Sequence, residues 1–156
     1  MQIIIGKTAG FCFGVKNAVD KTIEELDKEE QVFCLGELVH NKQVTEELID
    51  KGVIFIEDIE QAKKNVIIRA HGVPESVYKK AEKMKIELKD LTCPKVLAIH
   101  KLAIKYSNEN YYIFLVGQKT HPETIGTASF CGDNFSIIEN IDDVENEVKK
   151  IKKCQK

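Results

Sequence analysis

The sequence has no CxxC pair, no basic excess and no apolar run long enough to cross a membrane. Without a CxxC pair the ready-made zinc-ribbon, thioredoxin and ferredoxin signatures are absent, so any cysteine chemistry is assembled from residues far apart in the chain. Twenty-three basic residues stand against 25 acidic ones, a net charge of −2, which argues against the concentrated basic surface of a general nucleic-acid binder. A membrane-spanning helix takes roughly 18 consecutive apolar residues, and no such run occurs. Met1–Gly6 lacks the basic start and long apolar centre of an export signal and reads as a short apolar strand leading into a turn. Five cysteines (Cys12, Cys34, Cys93, Cys131 and Cys154) are an odd number without an export signal, which disfavours a disulfide framework and implies a reducing, cytoplasmic setting.

What is present is a chain of 156 residues, 43% hydrophobic and 31% charged, the balance of a globular protein with one compact domain or two small ones. Short β-branched or aliphatic runs alternate with longer amphipathic stretches. Strands are expected at Ile3–Ile5, Val32–Leu35, Val53–Ile56, Val66–Ile68 and Tyr111–Val116, the last as the clearest buried strand. Helices are expected from Gly14 through about Glu29, from Asn41 to near Lys51-Gly52, over Asp58–Lys64, from Pro74 through about Met84, and from Pro94 through about Asn108. Residues 117–127 read as a loop. Repeated β-turn-α units of this length predict an α/β protein with a mostly parallel sheet flanked by helices.

An internal repeat runs through this order. Cys12 to His40 spans 28 residues, as does Cys93 to His121. The closing phrases Ile56-Glu57-Asp58-Ile59 and Ile138-Glu139-Asn140-Ile141 match as well, each leading into a charged helix. Three matched landmarks favour duplication over chance. The expected organisation is two related modules, residues 1–91 and 92–156. In the first module a strand and His71 follow the closing helix; the second ends with its helix, so the chain is expected to be the front part of a longer protein.

In open α/β sheets, ligands collect at the carboxyl ends of strands, where helix N-termini present free N–H groups. Cys12, His40, His71, Cys93 and His121 all occupy strand-to-helix loops. Cys12 and Cys93 each open a helix, where the dipole stabilises a thiolate; small buried residues at tight turns are the alternative. Cys34 reads as core, Cys131 as part of a polar loop and Cys154 as part of a Lys-rich tail, all without a role. His100 reads as a structural or surface residue of its helix. Imidazole either ligates metal or, protonated, pairs with phosphate. Glu123 beside His121 suits a proton donor, or else a satisfied loop pair. Two thiolates at matched positions suggest a soft metal centre: zinc completed by two histidines, or an iron–sulfur cluster with at least one further thiolate. From the residues alone this is a metal or redox site with an anionic ligand.

The phrases Gly10-Phe11-Cys12-Phe13-Gly14-Val15, Gly36-Glu37-Leu38-Val39-His40-Asn41, Arg69-Ala70-His71-Gly72-Val73, Thr92-Cys93-Pro94 and His121-Pro122-Glu123 together resemble the 4-hydroxy-3-methylbut-2-enyl diphosphate reductase family, in its order and spacing across nearly the whole chain. The resemblance implies a three-module α/β trefoil around a [4Fe–4S] cluster, with Cys12 and Cys93 as two ligands and the third module, which would also pack with residues 1–10, outside this chain. It implies that His40, His71 and His121 hold the substrate diphosphate and that Glu123 delivers a proton to the leaving hydroxyl. The products would be isopentenyl and dimethylallyl diphosphate, the electron donor a ferredoxin or flavodoxin, with no nucleic-acid or membrane partner. The sequence ends before the family's third cysteine, a threonine that assists proton delivery, and the Ser/Asn residues that complete the diphosphate pocket. The chain alone is therefore expected to be cluster-free and inactive. A zinc- or phosphate-binding α/β protein using the same strand-end residues is the alternative.

Overall fold

The computed structural model describes residues 2–4, 6, 9–63 and 65–151. Over these residues helices and strands alternate: α1 (Phe13–Leu26), β1 (Val32–Leu35), α2 (Lys42–Asp50), β2 (Val53–Ile56), a 3-10 turn (Ile59–Gln61), β3 (Val66–Ile68), α3 (Glu75–Met84) and β4 (Leu88–Asp90) come first. Then follow α4 (Pro94–Asn108), β5 (Ile113–Val116), α5 (Pro122–Ala128), β6 (Phe135–Ile138) and α6 (Ile141–Ile151). The strands make a four-stranded sheet of order β2-β1-β3-β4 and a two-stranded sheet β5-β6. Every strand pair is parallel, as the alternating pattern predicts.

A parallel sheet covered on both faces has strands that are apolar throughout, and β1 shows why. Val32 and Cys34 point into a core with Ala18 of α1, Leu48 of α2 and Ile67. Phe33 and Leu35 point the other way, into a core with Ile56, Ile59, Ile68 and Ala81 of α3. All four side chains of β1 are buried, each stabilising the fold by about 1.5–3 kcal/mol for a full-sized aliphatic or aromatic group.

The repeat recurs in the hydrogen bonds. Val32 N–H donates to Gly52 O and Gly36 N–H to Ile56 O; 81 or 82 residues on, Ile113 donates to Asn134 O and Gly117 to Ile138 O. The repeated closing phrase is a helix cap. Asp58 Oδ1 accepts from Glu60 N–H, while Gln61 Oε1 accepts from Glu57 and Asp58 N–H at 2.8 and 3.0 Å. Asn140 Oδ1 likewise accepts from the Asp142 and Asp143 N–H groups, and Asp143 Oδ2 accepts from Glu139 N–H at 2.9 Å and Asn140 N–H at 3.4 Å. Both phrases tie off the orphan donors of a helix start.

Several expected elements differ. Residues 2–4 and 6 form no strand, and Ile3 and Ile4 are exposed. The helix expected over Asp58–Lys64 is only the 3-10 turn, and Lys64 lies outside the described residues. The expected loop 117–127 holds most of α5, and β4 and β6 are additional strands. The strand expected at Tyr111–Val116 is shorter and far from fully buried: Phe114 is 41% and Val116 79% exposed. These two side chains share one face of a strand and stay exposed there, whereas their register partners on β6, Ser136 and Ile138, are buried.

Candidate functional site

His40, His71 and His121 converge from three loops. Strands β1 and β3 are neighbours, with Leu35 opposite Ile68, so the segments leaving their carboxyl ends run side by side and carry His40 and His71. Helix α5 brings the third ring. Its Gly126 lies against the backbone of Val73, where an added Cβ would sit 3.6 Å from the carbonyl. Its neighbour Ser129 accepts the Glu75 N–H at 2.9 Å, capping α3 from outside. This seats His121, the N-cap of α5, over the His71 turn. Ring centroids lie 4.6 Å apart for His40–His71, 5.8 Å for His71–His121 and 6.2 Å for His40–His121.

The hydrogen bonds orient the cluster. His121 Nδ1 accepts the Glu123 N–H at 3.2 Å, so in the neutral ring the proton sits on Nε2. His71 Nδ1 is buried without a partner among the described residues. Burial, then the neighbouring His40, Arg69 and His121, push the His71 pKa down to about 4. His71 is therefore neutral near pH 7 in the free protein, and a nearby anion would favour its protonated form. Glu123 lies in the first turn of α5. It shares a cleft of about 310 Å³ with His121, Thr124, Thr127 and Ile99.

Cys12 and Cys93 are the N-caps of α1 and α4, and neither side chain makes a cap hydrogen bond. Cys12 is exposed and Cys93 partly buried. The first turn of α1 rests on Cys93, for a Cβ on Gly14 would stand 2.7 Å from Cys93 Sγ. Cys93 N–H donates to Ala70 O at 2.9 Å, which ties the thiol's backbone to the His71 turn. Cys34 is core as expected, and burial pushes its thiol up to about 12 despite the opposing effect of Arg69. Cys131, expected in a polar loop, is fully buried with Sγ against Thr127 O, and its pKa is raised by burial. Cys154 lies outside the described residues. Among the described residues no group of three or more His, Cys, Asp or Glu side chains is arranged to hold a metal ion.

Three residues carry more of the site than their sequence context suggests. Gly14 makes room for Cys93. His100 is buried, not on the surface, stacked on Phe130 at 4.5 Å and placed behind Gly72. Arg69 lies two residues before His71 and acts on that ring through its charge, and its being the chain's single arginine was the available signal.

Parallel strands whose carboxyl ends gather imidazoles, thiols and a carboxylate make this an α/β protein with side chains placed where such folds take ligands. The model of one family, the LytB protein, matches residues 3–155, and the chain belongs to that family. A relative from Clostridioides difficile (strain 630), named 4-hydroxy-3-methylbut-2-enyl diphosphate reductase, is 40% identical over 149 residues, covering 94% of this chain and 53% of the relative. The solved E-1-hydroxy-2-methyl-but-2-enyl-4-diphosphate reductase from Plasmodium falciparum superimposes with a TM-score of 0.86 at 34% identity, covering 89% of this chain and 45% of that one. A second solved structure, described as the terminal enzyme of the non-mevalonate pathway, gives a TM-score of 0.79 at 40% identity over 94% of this chain and 54% of that one. The chain spans about half the length of these relatives.

Proposed function

We propose that this chain supplies the diphosphate-binding histidines, the proton donor and two cluster ligands of an enzyme that reductively dehydroxylates 4-hydroxy-3-methylbut-2-enyl diphosphate. Its residues 1–91 and 92–156 act as two repeated modules, and the remaining ligands come from residues outside this chain. The carrying observation is the convergence of three imidazoles from three separate loops, beside a carboxylate in an open cleft. The LytB family membership and the names of its reductase relatives support the same reading.

The reaction cleaves the allylic C–O bond. Two electrons and two protons enter; the hydroxyl leaves as water and the carbon skeleton becomes isopentenyl or dimethylallyl diphosphate. His40, His71 and His121 bind and orient the diphosphate, each able to present an N–H donor and to take up a proton as negative charge arrives. Glu123 holds the proton for the departing hydroxyl. Cys12 and Cys93 fit a [4Fe–4S] cluster, as both thiols open helices free of cap bonds and Gly14 leaves space at Cys93 Sγ. When bound, the cluster supplies Lewis acidity and relays electrons from a donor such as ferredoxin or flavodoxin. We place the protein in the cytoplasm with no nucleic-acid or membrane partner; among the described residues no helix is long and apolar enough to cross a membrane. The zinc alternative needs a further two ligands beside the cysteines, and among the described residues no group of three or more His, Cys, Asp or Glu side chains is placed to supply them.

The test is anaerobic turnover of the full-length protein with an artificial electron donor. Glu123→Gln should lower kcat by roughly 10²–10⁴-fold with affinity little changed. His40→Ala should weaken substrate binding by about 1.5–3 kcal/mol, the worth of a charge-assisted contact. Wild-type kcat in Glu123→Gln would remove Glu123 as the donor, and unchanged affinity in His40→Ala would remove that histidine from the pocket.

A further inference from the structure

Strand β4 is an outer strand of the four-stranded sheet, and the bonds that join it to β3 run on past its end. Leu91 N–H donates to Ile68 O at 3.0 Å and Cys93 N–H to Ala70 O at 2.9 Å. Successive N–H groups along a strand point to opposite edges, so the Thr92 N–H points away from β3. On that side no further strand pairs with β4 among the described residues. Thr92 is nevertheless only 4% exposed, and a buried donor needs a partner. The Asp90 side chain supplies it. Its Oδ1 accepts the Thr92 N–H at 2.9 Å and the Thr92 hydroxyl as well, while Oδ2 accepts the Tyr78 hydroxyl of α3 at 2.8 Å.

One carboxylate thus fastens the turn that delivers Cys93. Ala70, which holds the Cys93 N–H, comes just before His71, and Tyr78 belongs to the helix that follows His71. The backbone of the thiol is therefore tied to both sides of the histidine turn, once directly and once through Thr92 and Asp90. Pro94 restricts the chain on the far side of Cys93 by its fixed φ. An alanine in place of Asp90 would leave both Thr92 donors without their acceptor, which is costly for buried groups. At the matched place before Cys12 stands Ala9, which has no side-chain acceptor. The fastening is particular to the second module, and Cys12 is the more exposed of the two cysteines.

We propose that Asp90 is a positioning residue for the Cys93 thiol, holding it through Thr92 and Tyr78 at a fixed place relative to the His71 turn before any ligand binds. That the fixed thiol serves to seat iron rests on the cluster reading given above; the fastening itself does not. A ligand already in place gives up little further freedom on binding, so a loosened Cys93 should release iron sooner. The role is one of hydrogen-bond geometry, not of charge. Asparagine at this position keeps Oδ1 for both Thr92 donors and presents its amide N–H to the Tyr78 hydroxyl, whose oxygen can accept. Alanine offers neither.

The first arm of the experiment uses the 156-residue chain and compares wild type with Asp90→Ala and Asp90→Asn. NMR relaxation gives the order parameters of the Thr92 and Cys93 amides in the folded state. These should fall from about 0.85 towards about 0.6 in Asp90→Ala, while the Ile67 amide of β3 stays rigid. The Cys93 thiol should alkylate about tenfold faster in Asp90→Ala, with Cys12 reacting at its wild-type rate. Asp90→Asn should match wild type in both measurements. A rigid Cys93 in Asp90→Ala, an Asp90→Asn variant as loose as Asp90→Ala, or an Ile67 amide loosened as much as Cys93 would each overturn the proposal. The second arm uses the full-length protein purified without oxygen and times the loss of iron to a chelator. Asp90→Ala should lose iron about tenfold faster than wild type, and Asp90→Asn at the wild-type rate. A loosened Cys93 with an unchanged rate of iron loss would overturn its service to iron. A loosened Cys93 with no iron in any of the proteins, wild type included, would uphold the fastening and refute the cluster reading instead.

Discussion

Replacing Gly14 by alanine drives a methyl group at Cys93, and the outcome depends on two opposing effects. Alanine inside a helix is favoured over glycine by roughly 0.5–1 kcal/mol. Against this, the new Cβ would lie 2.7 Å from Cys93 Sγ and 3.2 Å from Cys93 Cβ, well inside the ~3.5–4.0 Å of an ordinary contact. The sulfur can swing about χ1, but Cβ cannot, because the Cys93 backbone is bonded to Ala70 O and followed by Pro94 at the start of α4. Overpacking of this kind costs about 1–3 kcal/mol, so after the helix gain the net loss should lie between about 0 and 2.5 kcal/mol. Urea denaturation of wild type and Gly14→Ala measures it, and thiol alkylation under native conditions reports the displaced Cys93 as a changed reaction rate. A variant about 1 kcal/mol more stable than wild type, with Cys93 reacting at the wild-type rate, would refute the placement of α1 on that cysteine.

Other expectations follow from the same geometry. Cys34→Ser and Cys131→Ser should each leave the iron content of the full-length protein unchanged, because both thiols are buried with raised pKa values; loss of iron in either would contradict their exclusion from the site. Acidification should destabilise the chain. The His71 pKa is depressed to about 4 from 6.5, so the unfolded chain binds more protons between those values, and stability present above about pH 6.5 is lost as pH falls towards 4. Asp143, held below its usual value first by the Glu139 N–H, extends the loss at still lower pH; a urea midpoint flat from neutral pH to about pH 4 would contradict the His71 environment. Asn140→Ala should cost about 1 kcal/mol through loss of the α6 cap, and an unchanged melting temperature would show that the repeated phrase has no capping role.

The parts of the fold legible in the sequence are those where local and tertiary demands agree. The runs Val32–Leu35, Val53–Ile56 and Val66–Ile68 are apolar on both faces because helices cover both, and they sit where composition places them. Strand β4 was hidden because a charged edge strand, Leu-Lys-Asp, lacks an apolar pattern. Strand β6 was hidden behind Ser136, whose hydroxyl is satisfied by Tyr112 and Glu147. The reverse error occurred at β5, where apolar composition suggested cover on both faces; composition reports a side chain's preference for burial, not what lies over it. The site divides the same way. Each strand-end histidine was readable by position, but their convergence depends on Gly126 and Ser129 docking α5 onto the start of α3, a long-range contact with no local signature. The glycine at position 14 announced a turn, and only the packed structure shows that its missing Cβ serves Cys93.

Iron and sulfide content of the full-length protein, purified without oxygen, tests the central claim that matched helix-opening cysteines hold a shared cluster. Wild type should carry about four irons and equivalent sulfide per chain, with Cys12→Ser and Cys93→Ser each losing the intact cluster while the chain stays folded. A Cys12→Ser protein that keeps its full iron and sulfide, or a wild type that carries zinc in their place, would contradict the account.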